Sequence, residues 1–246
     1  LKKISLQKLK WLRGLRNKKN RDEQSVFVVE GEKIVKELIH QIPQKILFVI
    51  ANENLFDLLE LSRFENSFVG SHSDFEKVTS LNSPPKIIAV VSKFDGKEIQ
   101  TNKPIIVLDG VQDPGNLGTI IRTADWFGFE QIVCSENSVD LYNQKVIQAS
   151  MGSLFRVNIC YRKLSDFLQK LNCQIHAAVL TGEDLNSVQP EKIKVLILGN
   201  EGKGITNEIL SFVTDPVSIK GVGKAESLNV GIAAGIFLHH WSKSLI

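Results

Sequence analysis

Three segments in the second half of the chain combine polar side chains with glycines in ways that suit a bound ligand. The first reads DGVQDPGNLGTIIRTADWFGF over residues 109–129. Asp113-Pro114-Gly115-Asn116 is turn chemistry leading into a helix, and Gly115 and Gly118 leave room for a close-approaching ligand or strand. Arg122 and Asp125 lie three apart and share a helical face, so a surface ion pair worth roughly a few tenths of a kcal/mol accounts for both. The second segment, LILGNEGKGI over 196–205, holds Gly199, Gly202 and Gly204. Their GxxGxG spacing is neither the dinucleotide fingerprint GxGxxG nor a P-loop, which needs a GK[ST] ending. Glu201 sits among them and would repel a pyrophosphate. Glycine backbone lying against the adenine or ribose of an adenosyl ligand, which lacks phosphate, is compatible with that carboxylate. The third segment, IKGVGKAESLNVGIAAG over 219–235, turns at Gly221 and Gly223 and enters a very apolar helix. Gly231, Ala233, Ala234 and Gly235 allow that helix to pack closely, while Ser227 and Asn229 are polar at its mouth. A helix cap at Ser227 and a satisfied neighbour at Asn229 would explain both without chemistry.

The elements that must position these loops alternate between strand and helix. Apolar runs at 104–108, 131–134, 157–160, 174–179, 195–199 and 217–219 read as strands. Periodic segments at 117–127, 143–149, 164–171, 207–212 and 227–241 read as helices. This alternation predicts a mostly parallel sheet covered on both faces, with ligands at the carboxyl ends of its strands. The first half shows strands at 25–30, 45–51, 67–69 and 86–92, and helices at 32–39 and 72–81, the latter with Ser73 as its cap. Residues 94–103 are polar and without apolar pattern, which sets a linker between domains at 1–93 and 104–246.

Composition bounds the class. With 246 residues, 43% hydrophobic and 23% charged, the chain suits a soluble protein of two domains. No apolar run could cross a bilayer, and no apolar stretch follows the basic first turn, so neither a membrane span nor a secretory leader is expected. Cys134, Cys160 and Cys173 form no CxxC pair, which points to reduced thiols in the cytoplasm; the histidines show no ligand spacing, so no metal is expected. From Lys2 to Arg21 the chain carries nine basic residues and no acidic one, with Leu6, Leu9, Leu12 and Leu15 at helical spacing. Such an amphipathic basic helix can neutralise phosphates, through Lys10, Arg13, Arg16, Lys18, Lys19 and Arg21.

Taken together, the three segments resemble the three signature motifs of the SpoU (TrmH-like) family of RNA ribose 2′-O-methyltransferases, in the SPOUT superfamily. NLGTIIRTA (116–124) is similar to the first, LGNEGKGI (198–205) to the second, and SLNV with the following AAG (227–235) to the third. FVVEG (27–31), after a basic helix, resembles the family's substrate-binding domain more loosely. The resemblance implies an α/β fold: a mostly parallel C-terminal sheet with a deep trefoil knot, and a smaller N-terminal α/β domain like ribosomal protein L30e. It implies S-adenosylmethionine as cofactor, rRNA or tRNA as substrate, and a homodimer formed by the C-terminal domains, with the active site completed across the interface. By the same resemblance Arg122, Asn116, Glu201, Ser227 and Asn229 are the catalytic set. Leu198, Gly199, Asn200, Gly202, Ile219, Leu228, Asn229 and Thr181 are the cofactor-binding positions.

Two residues depart from the family pattern. Lys220 stands where the family usually has proline, and Gly231 where it often has serine. They motivate one alternative, a non-catalytic RNA-binding protein that kept the fold. A nucleotide-binding oxidoreductase lacks its GxGxxG here, and base methylation is disfavoured by the Asn116, Arg122, Ser227 and Asn229 set.

Overall fold

The computed structural model describes residues 1–245. In chain order its main elements are α1 (Leu6–Gly14), α2 (Lys18–Glu23), β1 (Val26–Glu30), α3 (Glu32–Gln41), β2 (Ile46–Ala51), α4 (Glu53–Leu58), β3 (Ser67–Val69), α5 (His72–Val78), β4 (Ile87–Ser92), β5 (Ile105–Asp109), α6 (Pro114–Trp126), β6 (Gln131–Ser135), α7 (Gln144–Ser150), β7 (Asn158–Arg162), α8 (Leu164–Leu168), β8 (Ile175–Asp184), β9 (Val195–Gly199), α9 (Asn207–Leu210), β10 (Asp215–Ser218) and α10 (Val230–Ser242). They divide into two compact units. One is Leu1–Asp95 with Tyr142–Phe155; the other is Gly96–Leu141 with the chain from Arg156 onward.

The first unit is built on a four-stranded sheet in the order β1-β4-β2-β3, antiparallel except for the β2–β3 pair. Leu9, Leu12 and Leu15 bury against Val28, Phe48, Ile50 and Phe68, which is the use of the leucine spacing in the basic block. Each such buried side chain contributes about 1.5–3 kcal/mol relative to exposure. The block is two helices rather than one, because the Asn17 side chain accepts from Lys19 N and starts α2 afresh. A single cut at 94–103 misses the excursion Tyr142–Phe155, which belongs to this unit. Glu30, a buried carboxylate, accepts from Thr79, Ser80 and Gln144, and Gln148 Nε2 donates to its carbonyl at 2.8 Å. Two local readings are corrected here. Ser71, not Ser73, caps α5, in a capping box closed by Asp74. The short helix α4, capped by Asn52, has no periodicity long enough to announce it.

The second unit carries a six-stranded sheet in the order β10-β8-β9-β5-β6-β7, every pair parallel. Its central strands are buried throughout, as parallel strands covered on both faces must be. The carboxyl ends of β5 and β9 lie side by side, with Asp109 paired to Gly199. The first and second chemical segments start from that edge. β8 runs longer than its apolar run suggests and includes Thr181. Its pairing with β10 jumps from Ala177 to Glu183 between adjacent β10 residues, so 178–182 bulge out of register.

Candidate active site

The loops after β5 and β9 are locked together by side chains. Asp109, buried at the end of β5, accepts from Thr206 N at 2.8 Å. Asn200 Nδ2 donates to Gly110 O at 2.7 Å, and its Oδ1 accepts from the backbone of Gly202 and Lys203 at 3.0 Å each. Asn200 and Gly204 also exchange both backbone hydrogen bonds at 2.9 Å. The loop thus folds back tightly over Gly199, where a Cβ would lie 2.4 Å from the Gly204 carbonyl carbon. Gly204 itself has φ of +70°, which only glycine adopts freely.

Helix α6 starts at Asp113, whose carboxylate accepts from Asn116 N at 2.8 Å. That cap sets Asn116 in the first turn, aimed at the β9 loop. Asn116 Nδ2 donates to Glu201 Oε1 at 2.8 Å, and Asn229 Nδ2 donates to Asn116 Oδ1 at 2.9 Å. Asn229 Oδ1 in turn accepts from Gly231 N and Ile232 N at 2.9 and 3.2 Å. One line of hydrogen bonds therefore joins all three segments. Its direction is fixed at both ends: a carboxylate only accepts and backbone N–H groups only donate, so neither amide between them can flip. Asn229, and not Ser227, is the cap of α10.

Ser227 is exposed on the 219–229 loop and is not a member of this line, and Leu228 and Gly202 are exposed too. Ile219 is half-buried, Leu198 buried at the end of β9, and Thr181 exposed on β8. Lys220 is resolved by geometry. Its Nζ donates to Gly182 O at 3.0 Å, which Ser218 Oγ also reaches at 3.0 Å, so the ammonium ties the third segment to β8 beside Thr181. Gly231 is explained by packing. A Cβ there would sit 3.2 Å from Asn229 Oδ1 and 3.4 Å from Thr119 Cγ2, and its absence lets α10 approach α6.

Arg122 stands apart from the amide line. Six residues beyond Asn116, it is turned by about 240° around α6 and is exposed. The expected Arg122–Asp125 pair does not form. Asp125 is held instead by Arg156, through Nε at 3.1 and 3.0 Å and Nη2 at 2.7 Å. Arg156 comes from a loop distant in sequence, and no spacing signals it. Arg122 shares its exposed face with Thr119 and Trp126, the latter 81% exposed. On α10, which packs against α6, Ile232 and Ile236 are exposed one turn apart.

In the basic block, Lys10 and Arg13 are exposed, but Arg21 is buried, with Nη1 donating to Leu15 O and Arg16 O at 3.2 and 2.9 Å. Arg21 therefore caps the end of α1 in place of an RNA contact. Arg16 Nε donates to Val78 O, and Lys18 and Lys19 pair with Asp22 and Glu23.

Comparison with known proteins adds the lineage of these loops. Residues 103–239 match the SpoU rRNA methylase family, and residues 7–89 match an MRM3-like substrate binding domain. The 23S rRNA (guanosine(2553)-2′-O)-methyltransferase RlmP of Bacillus subtilis is 30% identical over 95% of each chain. A TrmH-family protein from Porphyromonas gingivalis superposes with a TM-score of 0.86 at 32% identity, over 97% of this chain and 98% of that one. An AdoMet-bound rRNA methyltransferase from Sinorhizobium meliloti superposes with a TM-score of 0.87 at 27% identity, over 100% of this chain and 98% of that one. With a family match over residues 103–239 and a relative 30% identical over 95% of each chain, the chain belongs to the SpoU rRNA methylase family.

Proposed function

We propose that this protein transfers a methyl group from S-adenosylmethionine to a ribose 2′-hydroxyl of ribosomal RNA. The observation that carries the reading is the line Glu201–Asn116–Asn229, which joins the three family motifs at the carboxyl edge of the sheet. The loops also fit an adenosyl ligand. Cβ positions built at Gly204, Gly221 and Gly223 meet nothing within 4 Å, and Val222 and Leu228 on the 219–229 loop leave apolar surface uncovered. Open glycines and exposed apolar side chains on these loops suit an adenine and ribose, whereas Glu201 disfavours a pyrophosphate. Leu198, Gly199, Asn200, Gly202, Ile219, Leu228 and Thr181 are the residues that would hold it.

The cofactor supplies an already activated methyl group. The chain's task is alignment and charge control. Asn116 and Asn229, with fixed amide directions, present one rigid polar wall. Arg122 cannot serve as a base, since arginine stays protonated in proteins. Its role is to hold the target phosphate and stabilise negative charge as it develops on the 2′-oxygen, the proton leaving to a phosphate oxygen or to water.

Because Arg122 faces away from the amide line, it serves the site of a second copy. The exposed stripe of Trp126, Ile232 and Ile236 around it is apolar enough to be covered by a twofold-related α6–α10 pair. We place the protein in the cytoplasm as such a homodimer, its C-terminal unit knotted. The knot rests on the likeness to the family, and the sheet order, with β9 between β5 and β8, leaves room for it. Among the described residues no helix is long and apolar enough to cross a membrane and no metal-binding cluster occurs. Lys220 and Gly231 each have a structural use, so neither favours a non-catalytic reading.

The test is transfer of tritiated methyl from S-adenosylmethionine to unmodified 23S, 16S and transfer RNA, followed by mapping of ribose methylation in cells with and without the gene. Label in a base, or none in any RNA, would overturn the assignment.

A further inference from the structure

We infer that a groove at the carboxyl edge of the first unit's sheet takes an unpaired nucleobase of the substrate RNA. This rests on the function proposed above and names where that substrate is read. The parallel strands β2 and β3 end side by side at Ala51 and Val69. The chain before α1 runs along β3, with Val69 N donating to Lys2 O at 2.8 Å and Ile4 N to Val69 O at 3.1 Å. Between that segment and the loops at 52–54 and 70–72 lies an open cavity of about 600 Å³. The volume falls in the range of sites for one nucleotide-sized molecule. Apart from Lys3 and Ile4, the lining residues lie within the stretch 7–89 that matches a substrate binding domain.

Its lining selects a base over a phosphate. Ile4, half-buried against the core, and Val69, almost wholly buried, form the apolar part of the floor, with Lys3, Glu53, Asn54 and His72 around it. Lys3, Glu53 and Asn54 make no side-chain hydrogen bond or ion pair among the described residues. By contrast Asn52 is committed to Leu55 N, and Asp74, also at the groove, to Ser71. A phosphate would meet the carboxylates of Glu53 and Asp74. A base edge finds an amide with both donor and acceptor, a carboxylate for an exocyclic amine, and an ammonium for a carbonyl. Sequence-specific RNA recognition works on unstacked single-stranded bases of this kind. The basic block serves differently: with Arg21 buried and Lys18 and Lys19 in ion pairs, Lys10 and Arg13 remain as general phosphate attractors.

The experiment uses the full chain, an unmodified 23S rRNA transcript and the variants Asn54→Trp, which fills the groove from an exposed position, and Asn54→Ala. Cofactor binding by calorimetry and thermal melting check that each variant folds. Asn54→Trp should raise KM for the transcript at least tenfold, and Asn54→Ala about threefold. kcat at saturating RNA and the salt dependence of RNA binding should stay as in wild type. The double variant Lys10→Ala/Arg13→Ala should lower the salt slope by about 2. Crosslinking of 4-thiouridine-substituted transcript should mark peptides containing 52–54 or 70–72. A KM within twofold of wild type for Asn54→Trp, a reduced salt slope for that variant, or crosslinks confined elsewhere would each overturn the groove assignment. If wild type transfers no methyl to any RNA, the functional reading fails instead, and the crosslinks still judge the groove.

Discussion

The amide line can be broken at one atom without removing a side chain. Asn229→Asp keeps an oxygen for the N–H groups of Gly231 and Ile232, because aspartate caps helices as well as asparagine does. It loses the donor to Asn116 Oδ1 and sets a carboxylate against that oxygen. Asn116 can satisfy the new carboxylate only by turning its Nδ2 away from Glu201, which then loses its 2.8 Å bond. Only one of the two bonds can survive. Asn229→Ala, by contrast, loses the cap, about 1 kcal/mol, and the link to Asn116, about another 1 kcal/mol. Its melting temperature should therefore fall by roughly 4–8 °C, and that of Asn229→Asp by about half as much. Activity should order the other way from what stability alone would give. Asn229→Asp should lose at least tenfold in kcat/KM, a barrier change of about 1.4 kcal/mol, despite being the more stable variant. Thermal melting and steady-state methyl transfer on the same preparations decide the matter. Wild-type turnover in Asn229→Asp, or melting as low as that of Asn229→Ala, would refute the reasoning that the fixed direction of these amides shapes the site.

The remaining expectations are more direct. Arg122→Ala should abolish methyl transfer while calorimetric binding of S-adenosylmethionine stays near wild type; retained activity would remove Arg122 from the chemistry. Mixing Arg122→Ala with Glu201→Ala protomers should restore activity that neither has alone, whereas additive residual rates would show that the site is not shared. Lys220→Met should weaken cofactor binding by about two- to fivefold through loss of one exposed hydrogen bond, and Lys220→Pro should recover it by stiffening the same loop; unchanged binding in Lys220→Met would leave the Gly182 contact without consequence. His176 is buried in β8 with Nδ1 unpartnered, and desolvation lowers its pKa against the opposing pull of Asp215 and Glu183. A depressed folded-state pKa contributes stability above the ordinary histidine value that is lost as pH falls below it. The melting temperature should thus drop from pH 7 to pH 5 in wild type and less steeply in His176→Leu; parallel slopes would exclude His176 as the source.

How much of this was legible in the sequence depends on how local each signal is. The strands of the second unit announced themselves because parallel strands covered on both faces need unbroken apolar runs, as in Ile105–Asp109 and Val195–Gly199. The glycines of the second segment spoke through backbone demands that only they meet. Pairings between distant segments left no trace in spacing. Arg122 and Asp125 have the separation of an ion pair, yet Asp125 turns to Arg156, whose bidentate geometry outcompetes a weak same-helix pair. Arg21 reads as one more phosphate contact in a basic run, and becomes a buried cap because α1 and α2 meet with unsatisfied carbonyls at Leu15 and Arg16. Ser227 has the right type for a cap, but the helix begins later, where Asn229 can both cap α10 and donate to Asn116. That last displacement has a mechanistic reason. A serine cap would have to accept from the helix and donate onward through one and the same oxygen, whereas an asparagine carries acceptor and donor on separate atoms. Asn229 ends the helix with its oxygen and extends a polarised line toward Glu201 with its nitrogen, so at this position one amide meets the demands of folding and of the site.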